Sequence, residues 1–383
     1  MVSHLFFMKK HLYYIISTIT LFVLCGCNNT TVLKNEISID IDHRDEISIF
    51  DLFSNIEIIR LETNDTSIIK YIDKLLVYNN NYYILDYRMS GILVFDAFGK
   101  LLYKIDNEGN GPNEYLNISD FYIYNDKLMF ISAVDDRLHE YDLRGNFLSK
   151  SRLPEINGAY MYLKQMNNDT IAFWTYDYEN RLKFYSKRQH RIFKESLPET
   201  DNIFNQFGTA VFPYHNYIVR PTDNRVLEIM PDCELSVGYN WNFGTQNNDA
   251  EKLKETTYFP TPKEAIDYAK KIYASEVINY FFGTAGGNSQ YVYTQIMRKN
   301  KNISILYNKK TKKEYVFEKT TENANFFPLF WTEEYVIGYI PEIEEIGIND
   351  IIPDQILNEK NRAIKKKITE FDNPILIKYY FKK

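Results

Sequence analysis

Cysteine is scarce in this chain, and its scarcity excludes a disulfide scaffold. The three present in 383 residues are Cys25, Cys27 and Cys233. Once the leader described below is removed and Cys27 is acylated, Cys233 has no thiol left to pair with. A chain of this length, 16% aromatic, can bury a core that holds without cross-links. Blocks of basic residues are also lacking. The formal net charge is −6, which argues against nucleic acid as a partner. Long hydrophobic runs are missing too: the apolar stretch from Leu12 to Leu24 falls short of the ~20 residues that a spanning helix needs.

Catalytic signatures are equally absent. His43, His139, His190 and His215 are dispersed, and none has a metal-ligand spacing to another. There is no Gly-x-Ser-x-Gly elbow and no Ser-x-Asp-x-Gly-x-Thr-Trp box. No catalytic residue, metal site or cofactor is therefore assigned. Carboxylates are plentiful, and a pair such as Asp120 with Asp135 keeps a hydrolase or lyase open as the alternative reading.

What is present starts with an address. Lys9 and Lys10 precede the short apolar run, which ends in Leu24-Cys25-Gly26-Cys27. This order, basic then apolar then small, is that of a cleaved secretory signal. The ending fits a bacterial lipobox with Cys27 as the lipidated residue, since the bulky Leu24 makes Cys25 the poorer candidate. Residues 1–26 are thus expected to be removed, taking the formal net charge from −6 to −8. Residues 27–45 read as a polar tether, although the alternation of Ile37, Ile39 and Ile41 would also suit an edge strand.

The domain proper, residues 46–383, is organised around a unit written twice. Shifting the sequence by 46 residues lays Ile72 on Ile118, Tyr83-Ile84-Leu85 on Met129-Phe130-Ile131, and Phe95-Asp96 on Tyr141-Asp142. Each copy holds about four short strands and an Asp-x-x-Gly turn, the signature of a β-propeller blade. The turns, Asp96 to Gly99 and Asp142 to Gly145, are read as hairpin turns rather than metal loops. Beyond Leu153 the period decays but persists. With two helical insertions set aside, the 338 residues from Glu46 to Lys383 hold about six units of 46, or seven if the tether contributes strands. The expected fold is all-β: a six-bladed β-propeller with one or two inserted helices.

The insertions are placed at about 250–277 and 353–369. The first carries Thr261-Pro262-Lys263-Glu264, a capping box with proline at the first helical position. The second reads as a solvated helix ending in Lys365-Lys366-Lys367, where the helix dipole favours cations. The strand near Ile56 to Leu61 is expected to join Ile375 to Phe381 and close the ring, because an open ring would leave two bare sheet edges.

Three further motifs stand out: Arg60-Leu61-Glu62-Thr63, Tyr83-Ile84-Leu85-Asp86, and Gly109-Asn110-Gly111-Pro112-Asn113-Glu114-Tyr115. With the lipobox and the ending Asn373-Pro374-Ile375-Leu376-Ile377, they resemble the six-bladed propeller lipoproteins of Bacteroides-type bacteria. That group is similar to NHL and TolB-like propellers, and its molecular function is largely unassigned. The usual motif has glycine where Asn113 stands. The resemblance covers the mature chain and implies fold and family, not a reaction.

The functional expectation is a lipid-anchored outer-membrane module, periplasmic or surface-exposed, that binds a glycan, peptide or envelope protein. It contacts the membrane through Cys27 alone. Candidate binding residues are Asn110, Glu114 and Tyr115, if their loop rims the channel rather than forming an inter-blade corner. Arg88, Arg137 and Arg225 join them, since inner-strand patterns would converge them on the channel mouth to hold an anionic group.

Overall fold

The computed structural model describes residues 35–177, 179–198, 212, 214–220, 223–246, 261–280, 285–340 and 352–382. The signal segment and Cys27 lie outside them. From residue 37 onward the chain is one compact unit.

In chain order the elements begin with β1 (Glu36–Ser38), α1 (Ile49–Leu52) and β2 (Phe53–Ile59). The first two blades follow: β3 (Lys74–Tyr78), β4 (Asn81–Asp86), β5 (Gly91–Phe95) and β6 (Leu101–Ile105), then β7 (Asp120–Tyr124), β8 (Lys127–Ser132), β9 (Arg137–Asp142) and β10 (Phe147–Arg152). The third comprises β11 (Tyr160–Gln165), β12 (Thr170–Thr175), β13 (Asn180–Ser186) and β14 (Arg191–Pro198). The fourth is formed by β15 (Tyr217–Ile218), β16 (Arg225–Ile229) and β17 (Leu235–Asn242), with β1 as its outer strand. After α2 (Pro262–Ala274) come β18 (Asn279–Tyr280), β19 (Gly286–Gly287), β20 (Tyr291–Arg298), β21 (Lys301–Asn308) and β22 (Glu314–Phe317), the fifth blade. The sixth joins β23 (Pro328–Trp331), β24 (Tyr335–Ile340) and β25 (Ile375–Phe381) to β2, with α3 (Glu359–Lys365) inserted before β25. The molecule is a six-bladed β-propeller.

Local chemistry explains the blades. Asn79-Asn80, Asn125-Asp126 and Lys299-Asn300 all have positive φ, between 49° and 61°. Such pairs make the tight two-residue turns whose twist matches a hairpin. In the Asp-x-x-Gly turns, Asp96 Oδ1 accepts from the N–H groups of Phe98 and Lys100. Asp142 does the same for Arg144 and Asn146, and Gly99 and Gly145 both take φ of +82°. Central strands such as β5 and β12 are buried throughout because blades cover both their faces. The outer β14 alternates between exposed and half-buried positions. The core is accordingly a series of apolar packets between neighbouring blades, one of them joining Tyr83, Leu85 and Ile92 to Phe121, Leu128 and Phe130.

Closure uses both ends of the chain. β2 pairs antiparallel with β25, from Phe53 opposite Phe381 to Ile59 opposite Leu376. Two of the sequence motifs, at Arg60 to Thr63 and at Asn373, meet beside this seam. Arg60 grips Asp372 with two bonds of 3.0 and 2.6 Å. Asn373 donates to the carbonyls of Glu62 and Ser67, and its own carbonyl accepts from the Ile69 N–H. Thr63 Oγ1 accepts from the Asn373 N–H. Asp86 is buried and takes backbone N–H bonds from Lys70, Tyr71, Arg88 and Met89.

Two expectations are corrected. The tether does not run to residue 45: Ile37, Ile39 and Ile41 are buried, and the Ile39 N–H bonds the Asn242 carbonyl at 2.8 Å. Burying three alternate isoleucines stabilises this segment enough to outweigh the entropy of ordering it. The second insertion is not simply solvated. Asn361 of α3 is buried, accepting from the Ile58 N–H and donating to the Ile56 carbonyl, and Lys365 is buried against Ile352 and Asp354. At α2 the Thr261–Glu264 capping box forms, and the helix runs from Pro262 to Ala274. No helix among the described residues is long and apolar enough to cross a membrane.

Candidate functional site

The first strands of the blades surround a cavity of about 590 Å³, within the roughly 300–1,000 Å³ typical of ligand pockets. All six blades contribute to its lining. The lining includes Lys74, Leu75 and Leu76 from β3, Asp120 and Tyr122 from β7, and Met161, Tyr162 and Lys164 from β11, neighbours in sequence as well as alternate positions. Tyr214 and His215 enter ahead of β15, and Phe330 and Trp331 from β23. Gly287 of β19 brings backbone close, for a Cβ there would stand 2.6 Å from the Tyr291 carbonyl oxygen.

The repeat sets up the electrostatics. Asp120 lies 46 residues after Lys74, at the equivalent position in the next blade. The two meet across the blade boundary, Lys74 Nζ to Asp120 Oδ1, at 2.7 Å. The other oxygen, Asp120 Oδ2, accepts the Leu163 N–H at 2.9 Å. Burial pushes the Asp120 carboxyl above its usual range, against the opposing pull of the Lys74 ammonium. Asp73 is raised as well, by burial, while the Tyr87 N–H bond to Oδ2 works the other way. Burial, followed by the nearby Lys74, brings Lys164 down to about 8. His215 is lowered by burial and then by Lys164 and Lys309, which favours its neutral form.

None of the six candidate binding residues lines this cavity. The Arg88 guanidinium lies 3.7 Å from the centre of the Tyr71 ring, in the turn between β4 and β5. Arg137 pairs with Asp135 at 2.9 Å and Arg225 with Asp223 at 3.1 Å. Both arginines begin second or third strands of their blades, away from the channel. Asp135 also accepts from Ser132 Oγ and is not among the lining residues, so the cavity holds only one member of the Asp120–Asp135 pair.

The glycine-rich loop is a corner. Asn110 is exposed, and Glu114 folds back so that Oε2 accepts the Gly111 N–H at 2.6 Å. Tyr115 is fully buried, its hydroxyl donating to the carbonyls of Ser90 and Ile105. Neither Gly109 nor Gly111 has a left-handed backbone, and a Cβ on Gly109 would fall 2.1 Å from Glu114 Oε2, a flexible side-chain end that would have to move aside.

The residues that do line the cavity were visible only as charges in otherwise apolar first strands, at Lys74, Asp120 and Lys164. Among the described residues no group of three or more His, Cys, Asp or Glu is placed to hold a metal ion. The arrangement suits non-covalent capture: flat aromatic walls to cover a ring, and a few fixed polar groups to orient it.

A family model described as a domain of unknown function, DUF4934, matches residues 34–380. A Bacteroides fragilis protein described as exported has a solved structure that superposes with a TM-score of 0.68 at 17% identity, covering 91% of this chain and 99% of its own. A member of the DUF4221 family from Bacteroides vulgatus superposes with a TM-score of 0.51 at 11% identity, covering 88% and 99%. At these identities the likeness is one of fold. No curated protein matches the sequence.

Proposed function

The chain belongs to the DUF4934 family, and we propose that it serves the cell envelope as a lipid-anchored binding module whose ligand sits in the channel cavity. The observation that carries this reading is the cavity itself, about 590 Å³, lined from all six blades, with aromatic side chains and the buried charges Asp120 and Lys164 among the lining. A glycan or short peptide suits such walls better than a large protein surface does, because the charged groups Asp120 and Lys164 are buried in the cavity. The anchor is Cys27, which would hold the propeller at the outer membrane. Metabolic palmitate labelling should be lost in Cys27→Ser, and labelling that persists would remove the anchor from this account.

The enzymatic alternative would draw on the cavity carboxylates, Asp73 and Asp120. Against it, both oxygens of Asp120 are already committed, one to Lys74 and one to the Leu163 N–H. A carboxylate held in this way orients its neighbours and is poorly placed to shuttle protons. Binding is the stronger reading.

The test is to fill the cavity. Met161→Trp adds an indole to the wall where Met161 stands. Wild-type protein should capture members of an oligosaccharide and peptide array, and the variant should lose that capture with its melting temperature held. Undiminished capture by Met161→Trp would place the ligand elsewhere on the propeller.

A further inference from the structure

Among the described residues, several buried cations have carboxylate partners. Lys183, 2% exposed at its side chain, contacts both Asp177 and Glu195. Arg298 is paired with Asp42, and Lys365 with Asp354. Lys164 departs from this pattern. It is 7% exposed and lines the cavity. Its ammonium donates to the backbone carbonyl of His215 and stands 5.6 Å from the centre of the Tyr122 ring. Among the described residues, no carboxylate forms an ion pair with it. The cavity carboxylate Asp120 does not serve it, being paired with Lys74, whose ammonium stands 6.0 Å from the same ring.

A buried ammonium without a counter-ion is costly, and the cost falls when a ligand supplies the anion. Resting on the binding role argued above, we propose that the cavity takes an acidic sugar unit whose carboxylate docks on Lys164. One uncompensated ammonium matches one negative charge. A phosphate dianion would bring a second charge into a cavity that also holds Asp73 and Asp120. Among the described lining residues the other cation, Lys74, is already paired with Asp120. The rest of the wall suits a sugar ring. Tyr122, Tyr162 and Phe330 offer faces to its C–H surface, while Asp73 and Ser119 are hydrogen-bonding partners for hydroxyls.

The probes are galacturonate, glucuronate and mannuronate trisaccharides, each with its fully methyl-esterified form, which keeps the skeleton and removes the charge. Titration calorimetry on wild-type protein should show at least one acid bound at least ~10-fold more tightly than its ester. In Lys164→Met the acid should fall to the affinity of the ester, with a melting temperature no lower than wild type. Lys164→Arg should recover part of the preference. If ester and acid bind wild type alike, the charge assignment is overturned while the cavity remains a sugar site. If no uronate binds but a tripeptide with a free C-terminus does, more tightly than its amide, the sugar assignment falls. If none of these probes binds, the inference fails as a whole, and array capture sensitive to Met161→Trp would still uphold the binding role.

Discussion

Truncation before Asn373 is expected to abolish folding of the whole propeller, not to fray one end. The strand it removes, β25, lies between β24 and β2, hydrogen-bonded on both sides. Ile375, Leu376, Ile377, Tyr379 and Phe381 would all go, each buried in the native fold. At about 1.5–3 kcal/mol for each large apolar side chain, their loss rivals the entire ~5–15 kcal/mol stability of a typical protein. The clasp disappears too, since Asn373 alone ties Glu62, Thr63, Ser67 and Ile69 to the seam. What remains would have two unpaired sheet edges in the one blade that joins the chain's ends. Thermal melting followed by near-ultraviolet circular dichroism checks this. A truncated protein that melts cooperatively at the wild-type temperature would show that the ring closes without β25. The point substitution Asn373→Ala should have a milder effect, about 2–4 kcal/mol, from several lost hydrogen bonds at a buried position.

The second large effect is expected at the channel. Lys74→Met removes the cation from Asp120, whose side chain is only 3% exposed. Breaking a buried pair from one side costs about 3–5 kcal/mol, because the remaining charge stays desolvated. The pH dependence follows from the sign. In the unfolded chain Asp120 titrates near 3.8, whereas burial raises it in the fold, and further once Lys74 is gone. A carboxyl raised in the folded state is tolerated while protonated, so the penalty is small at and below the unfolded value and grows as pH rises above it. The variant should therefore lie closest to wild type near pH 4 and furthest from it at pH 7. Adding Asp120→Asn should restore most of the loss, since the buried charge is then gone. If Lys74→Met melts like wild type at pH 7, or if the double variant is no better than the single, the pair does not carry the energy assigned to it.

Much of the fold was legible before any coordinates. Strand alternation and the Asn-Asn, Asn-Asp and Asp-x-x-Gly turns are local, set by backbone sterics and hydrogen bonds within a few residues. A register repeating at 46 residues then implies blades, and the need to cover sheet edges implies the pairing of β2 with β25. The motif from Gly109 to Tyr115 was legible as a corner. The corner was the favoured reading over a channel rim, and the packing of Tyr115 in the fold agrees with it.

The site was another matter. Arg88, Arg137 and Arg225 were candidates because charged residues beside apolar runs resemble channel-facing positions. Which of four strands in a blade lies innermost is settled by how six sheets pack around an axis. Period-two alternation gives each strand two faces but does not say which face, or which strand, meets the cavity. The sequence by itself determined the blades, a count of about six, and the pairing of strands from both ends. The turns and the 46-residue period are local features repeated along the chain, and bare sheet edges must be covered. Only the tertiary structure decided that Lys74 and Asp120 should meet across neighbouring blades, and that Lys164 should face the same cavity without an anion. Those relations join residues 44 to 90 positions apart, and the closing of the ring is what brings their side chains to one place.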